Sequence, residues 1–341
     1  MNKIFTLSLV VLLAACSVSA KQGVASKETR SGGFMGLSTN ENFQVDTKDA
    51  FKGANNVIIA SFKVGFNESK KEQQKAGGGL LGGGFGGKST GNVKLLGIDN
   101  SVRQSITEAA YADFVAKLQA QGINVVDRSA YVASEAYKGA KKYPLPYAND
   151  TSSMFSEYGT ATYFAPAAFG SETVIFPGEV PEVTGGFAFA NPAAGAAEYA
   201  EKNKTKIIYV TTLVDFAGSG GHGGSFASFS TLEVGQVVSA DQGILGIIGG
   251  QAGTFSSAIG NIKMGQPIAS NIQYAEVVNT STDAGVALET AANVFSAVLG
   301  GGTNQSRDFE FKADAAKYQQ AAAEVLQKAN AGFVAEMAKL K

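Results

Sequence analysis

Val57-Ile58-Ile59-Ala60-Ser61-Phe62-Lys63-Val64 reads as a buried strand, because β-branched and aromatic side chains dominate a run of strand length. Outward from it, residues 101–121 carry Val102, Ile106, Ala110, Phe114 and Leu118 at helical spacing. Ser101 and Gln104 there make a capping-box pattern, and Gly122 can close the C-terminal end. Ile123-Asn124-Val125-Val126-Asp127-Arg128 follows as a short strand. Strand, loop, helix, strand predicts an α/β body built on a mixed sheet with packed helices. Residues 206–216 and 268–280 supply further strands. Asp314 caps a final helix over 315–340, whose Tyr318, Ala322, Val325, Ala329, Phe333, Met337 and Leu340 form one apolar stripe suited to packing on the sheet.

Cys16 is the sole cysteine of the 341 residues. Lys3 and the apolar run Ile4 to Leu13 precede Leu13-Ala14-Ala15-Cys16, which resembles a bacterial lipobox. On that reading residues 1–15 are a signal peptide, too short to span a bilayer, and Cys16 is the acylated N-terminus of the mature chain. The alternative is an ordinary secretory signal cut after Val18-Ser19-Ala20. Ser17, rather than an aspartate, favours the periplasmic face of the outer membrane by resemblance to bacterial lipoproteins. Residues 16–50 are polar and are read as a lipidated tether leading to a body over 51–341.

Charged residues make up 17%, against a usual share of about 25%. The net charge of −1 gives nothing that suggests nucleic-acid binding, and no nucleic-acid partner is expected. With one histidine and scattered carboxylates, no metal site, cofactor site or catalytic constellation emerges, and no enzyme is expected. Gly82-Gly83-Gly84-Phe85-Gly86-Gly87-Lys88-Ser89 matches the P-loop pattern. Its context does not fit, since a charged run precedes it and Gly91 and Gly97 interrupt the helix that should follow. His222, within Gly220-Gly221-His222-Gly223-Gly224, is read as a surface loop residue. Residues 134–204 hold six of the seven prolines and many aromatic rings, and are read as an ordered irregular insertion.

Residues 225–265 form a glycine-rich β-hairpin excursion. Phe226, Leu232 and Val234 fall on one face and Phe229 on the other, while Phe255 and Ile259 lie on the returning arm. Arm length and low charge suit a membrane hairpin with 243–249 as its apolar tip, and equally suit a long hairpin packed on the body or on a neighbour.

The strand at 206–216, the excursion, and the strand ending Val277-Val278-Asn279-Thr280-Ser281-Thr282 resemble the curli-secretion channel lipoprotein family. Phe114 to Arg128, a helix followed by Val-Val-Asp-Arg, is also similar to that family. The resemblance implies an outer-membrane lipoprotein that forms a homo-oligomer and forms or supports a pore exporting a protein substrate. It also implies a second hairpin, which would fall near residues 286–311. The turn here reads Thr282-Asp283-Ala284-Gly285, without the family's Gly-Glu. A periplasmic adaptor or assembly lipoprotein, anchored to the membrane by lipid and without a pore, is the other expectation.

Overall fold

A computed structural model describes residues 16–27, 42–76, 87–150, 159–180, 187–223, 230–249, 259–298 and 303–341. The strands, in order, are β1 (Cys16–Val24), β2 (Phe43–Asp46), β3 (Asn56–Asn67), β4 (Ser69–Ala76), β5 (Gly87–Leu96), β6 (Asn124–Val125), β7 (Tyr143–Pro144), β8 (Tyr147–Asp150) and β9 (Thr160–Phe164). They continue as β10 (Glu172–Thr173), β11 (Lys206–His222), β12 (Ser230–Ile248), β13 (Ile259–Met264), β14 (Ile268–Ala269), β15 (Ala275–Asn279) and β16 (Thr303–Ala313). The helices are α1 (Asn100–Ala120), α2 (Ser129–Val132), α3 (Glu135–Lys138), α4 (Phe187–Lys202), α5 (Asp283–Val298) and α6 (Ala315–Leu340).

The fold is α/β. A large mixed sheet runs β2-β13-β12-β11-β3-β9-β8, with β11 parallel to β3 and antiparallel to β12. A second sheet runs β15-β16-β5-β4. On one face of the large sheet, Phe62, Val64, Ile208 and Val210 meet Phe114 and Leu118 of α1 and the stripe of α6. On the other face Ile58, Ile207 and Tyr209 meet Ala193, Ala196 and Ala200 of α4, with Phe176 stacked on Tyr209 at 4.7 Å. Period-two alternation along β3 and β11 thus feeds two cores. Residue 60 is skipped in the β3–β11 register, which is how Ile59 and Phe62 come to share one face.

Helix α1 starts one residue earlier than its spacing predicts. Its cap is Asp99, whose carboxylate accepts from Val102 N, so the Ser101–Gln104 box does not form. Gly122 closes the helix at φ +70°, as expected of a left-handed C-terminal residue. Asp314 caps α6 through Ala316 N and Lys317 N. The insertion at 134–204 is more regular than expected: it contributes β8 and β9 to the large sheet and α4 to its far face. Residues 268–280 hold two short strands rather than one.

Three expectations are corrected. Residues 16–24 and 43–46, expected in a tether, are strands of the large sheet. Residues 243–249 are not a hairpin tip: 243–248 lie within β12, with Leu245, Ile247 and Ile248 fully buried between β11 and β13. The second hairpin expected near 286–311 is instead a helix, α5, followed by strand β16. Among the described residues, no helix is long and apolar enough to cross a membrane.

Candidate functional site

The outer half of the β11–β12 hairpin extends beyond β3, whose last partner is Phe66 opposite Val214. From there β11 and β12, joined by β1, lie over the second sheet as a sandwich. Phe216, Leu232 and Val234 on one side meet Val93, Leu95, Phe309 and Phe311 on the other. Gly91 is what lets the sheets close, because a Cβ there would stand 2.7 Å from Val234 Cγ2.

The registers gather several chain segments at one end of this sandwich. Cys16 sits beside Ser230 and His222 opposite Thr231. Gly87 pairs with both Ala76 and Thr303. The two groups meet through Ser89 Oγ, 3.1 Å from Ser230 O and 2.9 Å from Ser230 Oγ. The strand that begins at Cys16 therefore starts at the same end as the end of β4, the start of β5, the end of β11 and the start of β12.

Strand β1 is held by the polar side chains of Gln22 and buried Gln236. Gln236 is fully buried and makes four bonds: Nε2 donates to Gln22 O (2.6 Å) and Ala275 O (2.7 Å), and Oε1 accepts from Tyr274 N (2.7 Å) and Ala275 N (2.6 Å). Gln22 repeats the arrangement on Val277, donating to its carbonyl at 2.6 Å and accepting from its amide at 3.2 Å. An amide side chain presents N–H donors and an acceptor oxygen side by side, so each glutamine satisfies both main-chain groups of a β15 residue as a neighbouring strand would.

Below β1 lies an ionic cluster. Asp215 is fully buried, and its carboxylate takes Lys27 and, at 2.6 Å, Lys70. Lys27 also reaches Asp241 at 3.1 Å, and Lys70 reaches Glu72 at 2.6 Å. Burial pushes the Asp215 pKa up, but the two ammonium groups outweigh it and hold the carboxyl well below the usual range. Burial likewise lowers Lys70, and the carboxylates of Asp215, Glu72 and Asp241 more than reverse this. The cluster joins four segments of chain, and Lys27 is the contact from the segment that follows Cys16.

A second buried pair joins Lys63 to Glu179, and Glu179 borders a cavity of about 230 Å³ that is lined also by Thr211, Gln242 and Lys263. Glu179 accepts from Ser61 Oγ (2.8 Å), Thr211 Oγ1 (3.0 Å), Lys63 Nζ (2.8 Å) and Phe176 N (2.7 Å). Both carboxylate oxygens are taken by protein donors, which is the arrangement of a structural group.

The structure places the sequence-predicted residues as follows. Cys16 opens β1. Leu232 and Val234 are buried against the second sheet, and Ile259 is half-buried in β13. Phe226, Phe229 and Phe255, like residues 1–15, lie outside the described residues. Lys88 and Ser89 begin a strand rather than a helix, contrary to a phosphate loop. His222 ends β11 rather than lying in a loop. Among the described residues, no group of three or more His, Cys, Asp or Glu side chains could hold a metal. Sequence reasoning missed Gln22, Gln236, Lys27, Lys70 and Asp215. For Asp215 the signal was available, as a lone carboxylate inside an apolar strand run. No family model, curated protein or solved structure matches the chain.

Proposed function

We propose that the chain is an outer-membrane lipoprotein, acylated at Cys16 and held at the periplasmic face, that acts as an adaptor or assembly scaffold without a pore of its own. The observation that carries this reading is the register of β1. The strand begins at Cys16 itself, so an acyl group there holds the sandwich end against the bilayer with no intervening tether. Two or more acyl chains supply the anchoring, since one chain alone binds a membrane only marginally. The body stands upright on that end, with its sheets and helices offered to the periplasm.

The export-pore reading keeps one favourable observation, the length of the β11–β12 hairpin beyond β3. Against it, Leu232 and Val234 fill the chain's own sandwich, and the stretch expected as a second hairpin contains α5. On the pore reading the chain would form a homo-oligomeric ring and pass a protein substrate.

The test is membrane partitioning of a Cys16→Ser variant after a carbonate wash, alongside mass spectrometry of the parent. Acyl mass on Cys16 and full release of the variant are expected. A mature N-terminus at Lys21 would overturn the anchoring. Retention of the variant as a detergent-stable ring would transfer the assignment to the pore.

A further inference from the structure

Strand β16 has two neighbours along its C-terminal half, β5 and β15, because β15 covers residues 309–313 only. Among the described residues, no strand pairs with β16 opposite β5 over residues 303–308, and other groups fill that edge instead. Asn293 of α5 accepts from Asn304 N at 2.7 Å and donates to Asn304 O. Glu289 accepts from Ser306 N. Ser281 Oγ accepts from Asp308 N at 2.9 Å, while Thr280 N donates to Asp308 O at 2.8 Å. Asn304 and Asp308 thus have both main-chain groups met as a strand would meet them, and Ser306 has its amide met.

The cover rests lightly. Helix α5 meets β16 through Glu289 and Asn293. None of residues 283–293 is buried, and Leu288 is 74% exposed. Among the described side chains, α5 meets β16 through Asn293 and Glu289, including the 2.5 Å pair between Glu289 and Arg307, and no apolar residue of 283–293 is buried. Local opening is cheapest where exposed hydrogen bonds predominate and apolar burial is absent. The glutamine caps on β15 use the same chemistry, but Gln236 is fully buried in the sandwich and cannot leave alone.

We propose that residues 304–307 of β16 are a covered docking edge, which captures an extended acidic segment of a partner protein when α5 swings away. The segment adds a strand to the second sheet, a recognised mode of peptide binding. Acidic chemistry follows from Arg307: once Glu289 leaves with α5, its guanidinium faces the incoming strand and needs a carboxylate. A second copy of this chain fits poorly. Antiparallel pairing of two β16 edges points their Cys16 ends in opposite directions, which one bilayer forbids, and parallel pairing sets Arg307 beside its own counterpart. Naming the partner in this way rests on the adaptor reading above.

Two measurements on the full mature chain in detergent decide the matter. First, amide exchange resolved by residue should show Asn304 and Ser306 exchanging about a hundredfold or more faster than Gln305 and Arg307, whose amides face β5. Equal rates would mean that α5 opens only with the whole body, and would overturn the proposal. Second, a synthetic peptide of alternating valine and glutamate is titrated against the parent and against Glu289→Ala/Asn293→Ala. The variant should bind about tenfold tighter, because the competing cover is weakened. Replacing the peptide's glutamates with glutamine, or its centre with proline, should abolish binding. Capture of neither peptide by the opened variant overturns the strand site, and equal capture of the glutamine form overturns its acidic specificity. Self-association of the variant without peptide would assign the edge to a second copy. Unacylated Cys16 with peptide capture intact would sink the anchoring alone, so the two proposals fail separately.

Discussion

Two buried ionic clusters lie on the same central strands and do different work. Lys63 and Glu179 form a closed pair: one ammonium, one carboxylate, and neutral donors from Ser61, Thr211 and the Phe176 amide around it. Asp215, Lys70, Lys27, Asp241 and Glu72 form a chain of contacts that bridges separate segments through Lys27 and Lys70. The first joins a loop to the sheet. The second joins the segment following Cys16 to β4, β11 and β12, and so couples the proposed anchor to the body. Burying charge is costly in both places and is offset only while the partners remain. What distinguishes them is which piece of chain is released when one partner goes.

The largest effect is expected from Asp215→Ala. It leaves Lys27 and Lys70 in an apolar site, with Asp241 and Glu72 as their remaining partners, and breaking a buried pair of this kind costs about 3–5 kcal/mol. Urea unfolding measures the loss, and limited proteolysis should show cleavage within residues 16–27 before the body is cut. A loss below about 1 kcal/mol, or cleavage elsewhere first, would remove the coupling role. Glu179→Ala should cost less, about 2–3 kcal/mol, because burial has already lowered the Lys63 pKa and the amine can shed its proton. Replacing the pair together, as Lys63→Met with Glu179→Leu, should recover most of that loss while residues 16–27 stay protected.

The difference between the clusters marks how far the sequence could be read. The hydrophobic runs at 57–64 and 207–214 and the periodicity of 101–121 and 315–340 are local signals, and they became β3, β11, α1 and α6. Gly122 and Asp314 announced their ends for local reasons too. The pairing of distant polar residues has no such local trace. Lys27 and Asp215 are 188 positions apart, and Gln236 meets Gln22 across 214. Before its partners are known, the polar segment 16–27 therefore looks like solvated tether. The apolar 243–249 stretch was misplaced for a related reason: a fully buried central strand and a lipid-facing tip share one composition, and only the flanking strands β11 and β13 separate them.

A smaller effect, about 1–2 kcal/mol, is expected from Lys27→Met, since Lys70 still neutralises Asp215. Here the protease result matters more than the stability: residues 16–27 should become cleavable while the rest of the body stays protected. Protection equal to the parent's would show that Gln22 and Gln236 hold β1 without the ionic cluster.

The smallest effect separates the clusters by sign. Burial lowers the Lys63 pKa, its largest influence, against the opposing pull of Glu179. Between that lowered value and the unfolded value of about 10.4, the unfolded chain binds more protons, so this lysine makes stability rise with pH. Lys70 does the reverse. Burial also lowers it, but Asp215, Glu72 and Asp241 carry its folded pKa well above the ordinary value. Its contribution is fully present below about 10.4 and is lost as the pH climbs from there toward the folded value. Urea midpoints from about pH 8 to pH 11 for the parent, Lys63→Met and Lys70→Met isolate the two slopes, since subtracting each variant from the parent cancels the shared tyrosine titrations. The parent's stability relative to Lys63→Met should increase as the pH approaches about 10.4, and its advantage over Lys70→Met should shrink beyond it, each by up to about 1.4 kcal/mol per pH unit. Slopes of the same sign would mean that both lysines sit in equivalent surroundings, and the division between a closed pair and a bridging cluster would not stand.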